Sequence, residues 1–447
     1  MKRLIYQDLI KWKSNPRRKS LILRGARQVG KTYIIREFSK CFDSFVEINL
    51  EKNPELIKIF ETDLNPQRII NELSIILNKK IVPGKTLLFL DEIQVFPRAL
   101  IATRYFYEEL PELHVIAAGS LLDFAIEEVG IPVGRVTFMY LYPMNFIEFL
   151  IAKKHHLLAQ EILAHNPENH ISELIHEKLL KLLAEYFIIG GMPEAVRTWI
   201  ETSDIQEVNL IHKSIIQSYE QDFEKYCKKT QIKYVALLFK QIPLQLGEKF
   251  KFSKISENYR KRELAPCLEL LIKAKVIERA YHSDANGIPL GAEINLNAFK
   301  ILYMDIALAQ NILGYNPKTF LLDVKSTFIN KGALTESFIG QEILSYSPAN
   351  NKIDLFYWHR DKRSSNAEVD YVINLDHQIY PLEVKSNKGS TLTSLKIFLE
   401  IHKNIKHGIR FSIHNYSIFE DIHSYPLYAV ASLMRKSNEN IFEFVKE

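Results

Sequence analysis

Residues 25–32 restrict the possible folds of this chain more than any other stretch. An apolar, strand-like stretch at 20–23 precedes them, and a helical pattern at 31–40 follows. In this context glycines let backbone N–H groups turn inward around a phosphate, and the helix N-terminus adds partial positive charge. The pattern therefore predicts a phosphate-binding loop in an α/β fold. The loop fits GxxxxGK[ST] and consists of Gly25, Ala26, Arg27, Gln28, Val29, Gly30, Lys31 and Thr32.

Four further apolar stretches extend this prediction to a whole domain. They lie at 45–50, 86–90, 114–118 and 136–141, and segments of helix length separate them. Strands this apolar, alternating with helices, are typical of a parallel sheet that is covered on both faces. We therefore expect residues 1–150 to form one P-loop domain.

Two carboxylates, Asp91 and Glu92, follow the stretch 86–90 directly. Ligands of open α/β sheets bind at the carboxyl ends of the strands, so both side chains should lie near the phosphate loop. There Lys31 would reach the β- and γ-phosphates of ATP, while Thr32 and Asp91 would support Mg²⁺. Glu92 would polarise the attacking water. The sequence thus predicts binding and hydrolysis of ATP with Mg²⁺.

Ser120 and Arg135 are further candidates for contacts with the nucleotide. Ser120 comes just after the stretch 114–118. It either places a hydroxyl near the γ-phosphate or caps the following helix. Arg135 either supplies positive charge to ATP, in its own site or in that of a neighbouring subunit, or is an ordinary surface arginine. The sequence leaves these alternatives open.

Several motifs taken together resemble those of a known family. They are RGARQVGKT, LLFLDEIQ, AAGSLLDF, the GRV before LYPMNFIEFL, YFIIGGMPEAV and EVDYVINLDHQIYPLEVKS. In this order they resemble the AAA-type P-loop ATPases of bacteria and archaea whose C-terminal domain of unknown function has a PD-(D/E)xK endonuclease-like core. The resemblance implies five parallel strands, ATP binding with Mg²⁺, Glu92 as the water-activating residue beside Asp91, and a winged-helix-like middle. The family often has several serines in a row where this chain has only Ser120.

The rest of the chain divides into three expected segments. Residues 151–205 have the pattern of a helical lid or linker, broken at 190–193 (GGMP), where glycine can end one helix and proline can start the next. Residues 206–320 have the helix, helix, hairpin order of a winged helix, and residues 321–447 form the expected α/β endonuclease-like domain. We expect five histidines in the helical segment on solvated helix faces: His155, His156, His165, His170 and His176.

The stretch AEVDYVINLDHQIYPLEVKS, residues 367–386, predicts a β-hairpin. A two-residue turn at Asp376 and His377 would place Asp370 opposite Glu383. Because side chains alternate along a strand, we expect one polar, wet face and one apolar face directed to the core. The apolar face would contain Val369, Tyr371, Ile373, Leu375, Tyr380, Leu382 and Val384.

The polar face of this hairpin allows two interpretations. Two opposed carboxylates repel each other by about 3 kcal/mol at an effective dielectric near 20. A divalent cation held by Asp370, Glu383 and the helix residue Glu336 would reverse this repulsion and activate water for phosphodiester cleavage, with Lys385 stabilising the developing charge. Alternatively, Glu368 opposite Lys385 forms a plain cross-strand ion pair on a catalytically inactive core.

Composition narrows the possible partners. The chain has 58 Lys and Arg against 53 Asp and Glu, and a net charge of +5 over 447 residues does not by itself imply nucleic acid. Only local basic clusters, such as residues 260–262, keep that option open; the alternative is a solvated helix. Scattered cysteines and the absence of a signal-peptide pattern or a long apolar run predict a cytoplasmic protein without a membrane partner.

Three functions therefore fit the sequence. The first is an ATPase that controls a nuclease-like domain acting on DNA or RNA. The second is a nucleotide-dependent switch with an inactive core that binds a protein partner or another copy of itself. The third is a winged-helix DNA binder that uses Arg260, Lys261 and Arg262.

Overall fold

A computed structural model describes residues 1–130, 134–315, 328, 331–362, 365–385 and 392–446. The helices are α1 (Ile5–Ser14), α2 (Lys31–Ser39), α3 (Ile57–Thr62), α4 (Pro66–Ile76), α5 (Arg98–Glu109), α6 (Leu122–Val129), α7 (Phe146–Ala152), α8 (His156–Ala164), α9 (Glu173–Ile189), α10 (Pro193–Thr202), α11 (Ile205–Tyr226), α12 (Ile232–Gln241), α13 (Lys261–Lys273), α14 (Ile306–Ile312), α15 (Gly332–Tyr346), α16 (Thr393–Ile401), α17 (Val430–Met434) and α18 (Asn440–Lys446). The strands are β1 (Ser20–Arg24), β2 (Ser44–Asn49), β3 (Thr86–Asp91), β4 (His114–Ala118), β5 (Val136–Tyr140), β6 (Ile277–Ser283), β7 (Ile294–Tyr303), β8 (Leu355–Lys362), β9 (Ser365–Leu375), β10 (Gln378–Lys385), β11 (Gly408–Ser412), β12 (Ser417–Phe419) and β13 (Ile422–Pro426). Within the described ranges, no helix combines the length and apolar character needed to cross a membrane.

The N-terminal part is built on a five-stranded sheet with the order β2-β3-β4-β1-β5. All neighbouring strands are parallel, as in the pairs of Leu23 with Ala118 and of Leu90 with Ala117. Because β1 lies between β4 and β5, the loop that follows it is flanked by the ends of both neighbours. The prediction of five parallel strands is confirmed.

Helices α7 to α14 fill the middle of the chain and are interrupted where the sequence predicts. Helix α9 ends at Ile189 and α10 begins at Pro193. Gly190 has a φ of 71°, which glycine adopts without strain. The Asp305 carboxylate accepts a hydrogen bond from the Gly191 N–H at 2.7 Å, so the break is attached to the start of α14.

His176 differs from the expectation of a solvated helix face. It is buried on α9, and its ring nitrogens lie 2.8 Å from the Tyr428 hydroxyl and 3.1 Å from the Ile413 carbonyl oxygen. The prediction is wrong for this residue because the C-terminal part of the chain packs against that face of α9.

The C-terminal part is built on a mixed eight-stranded sheet with the order β12-β13-β11-β10-β9-β8-β6-β7. The expected hairpin of the winged-helix-like segment exists as β6 and β7, but β6 also pairs with β8, in parallel. The hairpin therefore belongs to the C-terminal sheet, whose strands come from both sides of the expected boundary at residue 320. A lone hairpin is marginally stable, whereas a larger sheet buries both of its faces.

Among the described residues, three groups of buried apolar side chains form the core. The largest takes Leu23 and Phe89 from one face of the five-stranded sheet and Ile373 and Leu382 from one face of the eight-stranded sheet. The second covers the other face of the N-terminal sheet, and the third covers the other face of the C-terminal sheet. Both ends of the chain therefore share one continuous core.

The register of the β9-β10 hairpin is as predicted. Leu375 pairs with Gln378 and Tyr371 pairs with Leu382. The turn residues Asp376 and His377 have φ values of 49° and 61°, as a tight turn with left-handed residues requires. Extending this register by one pair places Asp370 opposite Glu383.

The expected assignment of hairpin residues to two faces is wrong in two respects. A bulge between β8 and β9 pairs Trp358 with Val369 but Phe356 with Val372. Val369 therefore packs in the same buried group as Val372 and not with Tyr371. The polar positions are also only partly wet, because helices cover the sheet on both sides: the side chains of Glu383 and Asp370 are 3% and 15% exposed, whereas those of Lys385 and Glu368 are 29% and 38% exposed.

Candidate functional site

The loop after β1 needs glycine at two positions. A Cβ atom on Gly25 would lie 2.3 Å from the Leu141 carbonyl oxygen, which is too close for any other residue. Gly30 has a φ of 96° and immediately precedes α2. Only glycine adopts this backbone geometry readily, and it brings the loop close to the helix N-terminus, where anions bind.

Lys31 is buried within this loop. Its ammonium donates hydrogen bonds to the carbonyl oxygens of Gly25 at 2.9 Å and Ala26 at 2.7 Å. Burial lowers the pKa of Lys31 to about 8, although the nearby Glu92 and Asp91 favour the charged form. A phosphate group beside this amine would stabilise its charge.

Asp91 ends β3 beside the first turn of α2. The Thr32 hydroxyl donates to Asp91 Oδ2 at 3.0 Å, and the Asn49 amide donates to the same oxygen at 3.3 Å. Burial, and then the charge of Glu92, raise the pKa of Asp91. A hydroxyl and a buried carboxylate in contact at the mouth of a phosphate loop are the oxygen donors that Mg²⁺ prefers, so these residues fit a magnesium nucleotide.

Glu92 follows Asp91 in a left-handed conformation, with a φ of 50°. Such a backbone is uncommon for a residue other than glycine and is often found where function constrains a side chain. Its carboxylate accepts a hydrogen bond from Gln94 Nε2 at 2.6 Å. The site therefore contains a second carboxylate, held by a neutral amide.

The structure places Ser120 and Arg135 at opposite edges of the sheet, one formed by the carboxyl ends of the strands and the other by their amino ends. Ser120 is buried two residues after the end of β4, at the edge that carries the phosphate loop. It is not the helix cap, because Leu121 occupies the N-cap of α6. Arg135 precedes Val136, which pairs with Ser20 at the start of β1, so it lies at the far edge.

Arg135 also has a partner of its own. Its guanidinium lies 2.7 Å from Glu108 Oε1, and its side chain is half exposed. This position contradicts a role of Arg135 at its own nucleotide site. A contact with the site of a neighbouring subunit stays a prediction.

The second set of candidate residues lies around Lys300 on β7. The Lys300 ammonium is 2.8 Å from Glu336, 2.5 Å from Glu368 and 3.7 Å from Asp370. Lys385 pairs with Glu383 at 2.5 Å, and not with Glu368 as the alternative interpretation expects. We call these six residues the C-terminal charge cluster: Lys300, Glu336, Glu368, Asp370, Glu383 and Lys385.

The protonation of this cluster follows from its burial. Burial raises the pKa of Glu336 to about 8, and burial together with Asp370 raises that of Glu383 to about 8. Burial opposes the charge of Lys300, but Glu336, Asp370 and Glu368 outweigh it and raise the pKa of Lys300. The two ammonium groups of Lys300 and Lys385 cannot neutralise all four carboxylates, so the cluster keeps Lys300 charged and retains protons on carboxyl groups near neutral pH.

The structure brings the predicted metal ligands Glu336, Asp370 and Glu383 into one cluster. Asp370 Oδ2 accepts a hydrogen bond from the Val384 N–H at 2.7 Å. Among the described residues, no group of three or more His, Cys, Asp or Glu side chains is arranged to hold a metal ion. Lys300 lies between the carboxylates instead, and metal binding by this cluster stays a prediction.

The basic residues 260–262 are exposed at the start of α13. The backbone N–H of Arg260 donates to Glu263 at 2.9 Å, and the Lys261 ammonium donates to Asn297 at 3.3 Å. These contacts stabilise the helix start and the adjacent strand, and a contact with nucleic acid stays a prediction.

Three segments of the chain match models of known protein families. Residues 17–150 match the AAA domain. We call this part of the chain the AAA domain, after the model that it matches. Residues 180–319 and 331–430 match two domains of unknown function, DUF8612 and DUF4143. The AAA domain contains all residues of the candidate nucleotide site described above, whereas the charge cluster takes Lys300 from the second segment and its other members from the third.

Two solved structures are similar to the chain at low identity. A Walker-type ATPase of Pyrococcus abyssi has 17% identity and a TM-score of 0.45, and the match covers 69% of this chain and 94% of that chain. A structure of Drosophila ORC bound to DNA has 12% identity and a TM-score of 0.28, with the same coverage. Neither is close enough to carry an argument about function. No curated protein matches the chain.

Helix α11 contacts the phosphate loop of the AAA domain. Arg27 forms an ion pair with Asp222, and the Tyr219 hydroxyl donates to the Arg27 carbonyl oxygen at 2.7 Å. Gln28 Nε2 donates to the Ser218 hydroxyl at 3.2 Å. Sequence reasoning missed Asp222, because Arg27 is 195 residues away and no local pattern links them.

Proposed function

We propose that the AAA domain binds ATP with Mg²⁺ and hydrolyses it. The observation that carries this proposal is the contact of Thr32 with Asp91, next to the buried Lys31 at the mouth of the loop. Glu92 lies one residue further along, where a carboxylate can take the proton of a water molecule.

Each residue has a distinct task in this proposal. Lys31 and the loop backbone bind and orient the β- and γ-phosphates, and Thr32 and Asp91 hold the metal. Mg²⁺ neutralises phosphate charge when it is bound. Glu92 accepts the proton of the attacking water, and Ser120 places a hydroxyl at the same edge of the sheet.

We further propose that the chain is a nucleotide-dependent switch. The loop residues Arg27 and Gln28 are held by Asp222 and Ser218 of α11, outside the AAA domain. A change in the loop on nucleotide binding therefore acts directly on α11. The partner would be another protein or a second copy of this chain, and the C-terminal charge cluster would be a folded, inactive core.

Hydrolysis is tested by phosphate release from purified protein with Mg²⁺ and ATP. We expect Glu92→Gln to bind ATP normally and to lower kcat by about 10²- to 10⁴-fold, as loss of a general base does. Lys31→Met should lose ATP binding. Glu128→Gln is a matched control, because Glu128 is an exposed carboxylate on α6. Equal rates for wild type, Glu92→Gln and Glu128→Gln would refute the proposal.

A second candidate function is metal-dependent cleavage of DNA or RNA by the C-terminal charge cluster. One observation favours it: among the described residues, the buried Glu383 Oε2 has no hydrogen-bond partner. Such an oxygen could coordinate a metal ion. Cleavage by wild type with Mg²⁺ or Mn²⁺ that is lost in Asp370→Asn and Glu383→Gln would establish this function. We expect no cleavage, because the Lys300 ammonium already lies between the carboxylates.

A further inference from the structure

Gln94 contacts the proposed catalytic carboxylate without being part of the phosphate loop. Its Nε2 donates to Glu92 Oε2 at 2.6 Å. By contrast, three groups hold Asp91: the Thr32 hydroxyl, the Asn49 amide and the Glu92 N–H.

The amide of Gln94 fits its place only because residue 119 is glycine. A Cβ atom on Gly119 would lie 1.9 Å from Gln94 Oε1 and 3.0 Å from its Cδ. Gly119 follows β4 and immediately precedes Ser120. The amide is therefore packed between Glu92 and the tip of β4, at the edge of the sheet where the phosphate loop lies.

The other end of this amide is not satisfied. Gln94 Oε1 is buried and has no hydrogen-bond partner among the described residues. An unpaired buried acceptor is unfavourable, and a glutamine that served only packing could be replaced by an apolar side chain without loss. The hydrogen bond to Glu92 is the one polar interaction of this amide that the structure shows.

We infer that Gln94 is a positioning residue, which holds the Glu92 carboxylate in the orientation needed to take a proton from water. The inference rests on the proposed function of Glu92. It also gives Gly119 a role, because the missing side chain makes room for the amide. A misplaced catalytic group lowers the rate without weakening substrate binding.

The test uses Gln94→Met, which keeps the length of the side chain and removes the donor. We expect kcat to fall by about 10-fold or more, with KM for ATP and ATP affinity within about twofold of wild type. Gly119→Ala should displace the amide and lower kcat to the value of Gln94→Met. The double variant Gln94→Met/Gly119→Ala should have a kcat no lower than that of either single variant. In the Glu92→Gln background, Gln94→Met should have no further effect.

Two controls separate positioning from a general loss of structure. Gln67→Leu removes an exposed amide on α4 that bonds to Asn71, and Gly287→Ala adds a methyl group where nothing lies within 4 Å. Both should keep the wild-type kcat. In nucleotide-free protein, the urea midpoints of Gln94→Met, Glu92→Gln and the double variant should be non-additive, because the two side chains share a hydrogen bond.

The possible outcomes are distinct. If Glu92→Gln loses hydrolysis but Gln94→Met keeps the wild-type kcat, the inference is overturned and the proposed function stands. Additive urea midpoints would also overturn it. If wild type and Glu92→Gln release phosphate equally slowly, the proposed function itself fails, and with it the inference.

Discussion

The carboxylates of the candidate nucleotide site and those of the C-terminal charge cluster are balanced in different ways. In the AAA domain, neutral donors from Thr32, Asn49 and Gln94 hold Asp91 and Glu92. In the C-terminal charge cluster, the ammonium groups of Lys300 and Lys385 hold the carboxylates. Neutral donors orient a carboxylate but leave its charge to be balanced by a ligand, whereas a lysine balances it within the protein.

The position of the nearest lysine shows the same difference. Lys31 directs its ammonium to two carbonyl oxygens of its own loop, and burial lowers its pKa. Lys300 directs its ammonium to carboxylates, and its pKa is raised. The first amine is placed for an incoming phosphate, and the second is already paired.

The largest effect should come from removing the Lys300 amine, with removal of the Lys31 amine as the comparison. We expect Lys300→Met to lower the free energy of unfolding by about 3–5 kcal/mol, because buried carboxylates lose their charged partner. Lys31→Met should change it by less than about 1 kcal/mol, since its ammonium pairs only with loop carbonyls. Urea unfolding of both variants measures this difference.

The same two variants can contradict the stated difference between the two carboxylate groups. If Mn²⁺ restores the stability of Lys300→Met but leaves the wild type unchanged, the cluster accepts a cation in place of the ammonium. If Lys300→Met is as stable as wild type without metal, the cluster does not depend on its lysine, and the assigned difference between the two carboxylate groups is wrong.

Glu342 provides a buried carboxylate without a cation. It lies on α15 and accepts hydrogen bonds from the Phe146 N–H at 3.1 and 3.3 Å. Burial raises the pKa of Glu342 to about 8, above the ordinary value of 4.5. The folded protein therefore holds this proton more tightly than the unfolded chain, so its contribution to stability is complete below about pH 4.5 and is lost as the pH rises through 8.

We expect Glu342→Gln to remove this part of the pH dependence, which is on the order of a few kcal/mol between pH 5 and 8. Unfolding midpoints at several pH values measure it, and Glu128→Gln is again the control. Glu336 and Glu383 act in the same direction, so some slope should remain. An unchanged slope in Glu342→Gln would show that this carboxyl is not protonated in the folded protein.

The parts of the fold that depend on local patterns could be predicted from the sequence. The five strands of the AAA domain and the hairpin register around Asp376 follow from apolar runs and turn residues, which are local. Lys300 could not be found, because it stands in an ordinary strand pattern and its partner Glu336 is 36 residues away. The burial of His176 and the contact of Asp222 with Arg27 likewise depend on packing between distant segments, on which local periodicity carries no information.

A smaller effect should follow from loosening the loop from α11. We expect Asp222→Asn to weaken ATP binding by about 2- to 5-fold, because the pair with Arg27 is partly exposed and contributes less than about 1 kcal/mol. Glu224→Gln, an exposed carboxylate on the same helix, is the control. Nucleotide titration measures both. Equal affinities in the two variants would leave α11 without a role at the nucleotide site.

The smallest effect should come from Arg135. Because it lies at the far edge of the sheet and pairs with Glu108, we expect Arg135→Ala to keep kcat within about twofold of wild type, as for an exposed ion pair. The rate should be measured over a range of protein concentrations. Two results together would show that Arg135 reaches the site of a neighbouring subunit: the wild-type rate per molecule rises with protein concentration, and Arg135→Ala lowers kcat by about 10-fold or more. In that case the nucleotide site would gain a cation from outside the chain, and the contrast with the lysine-balanced cluster would hold only for the single subunit.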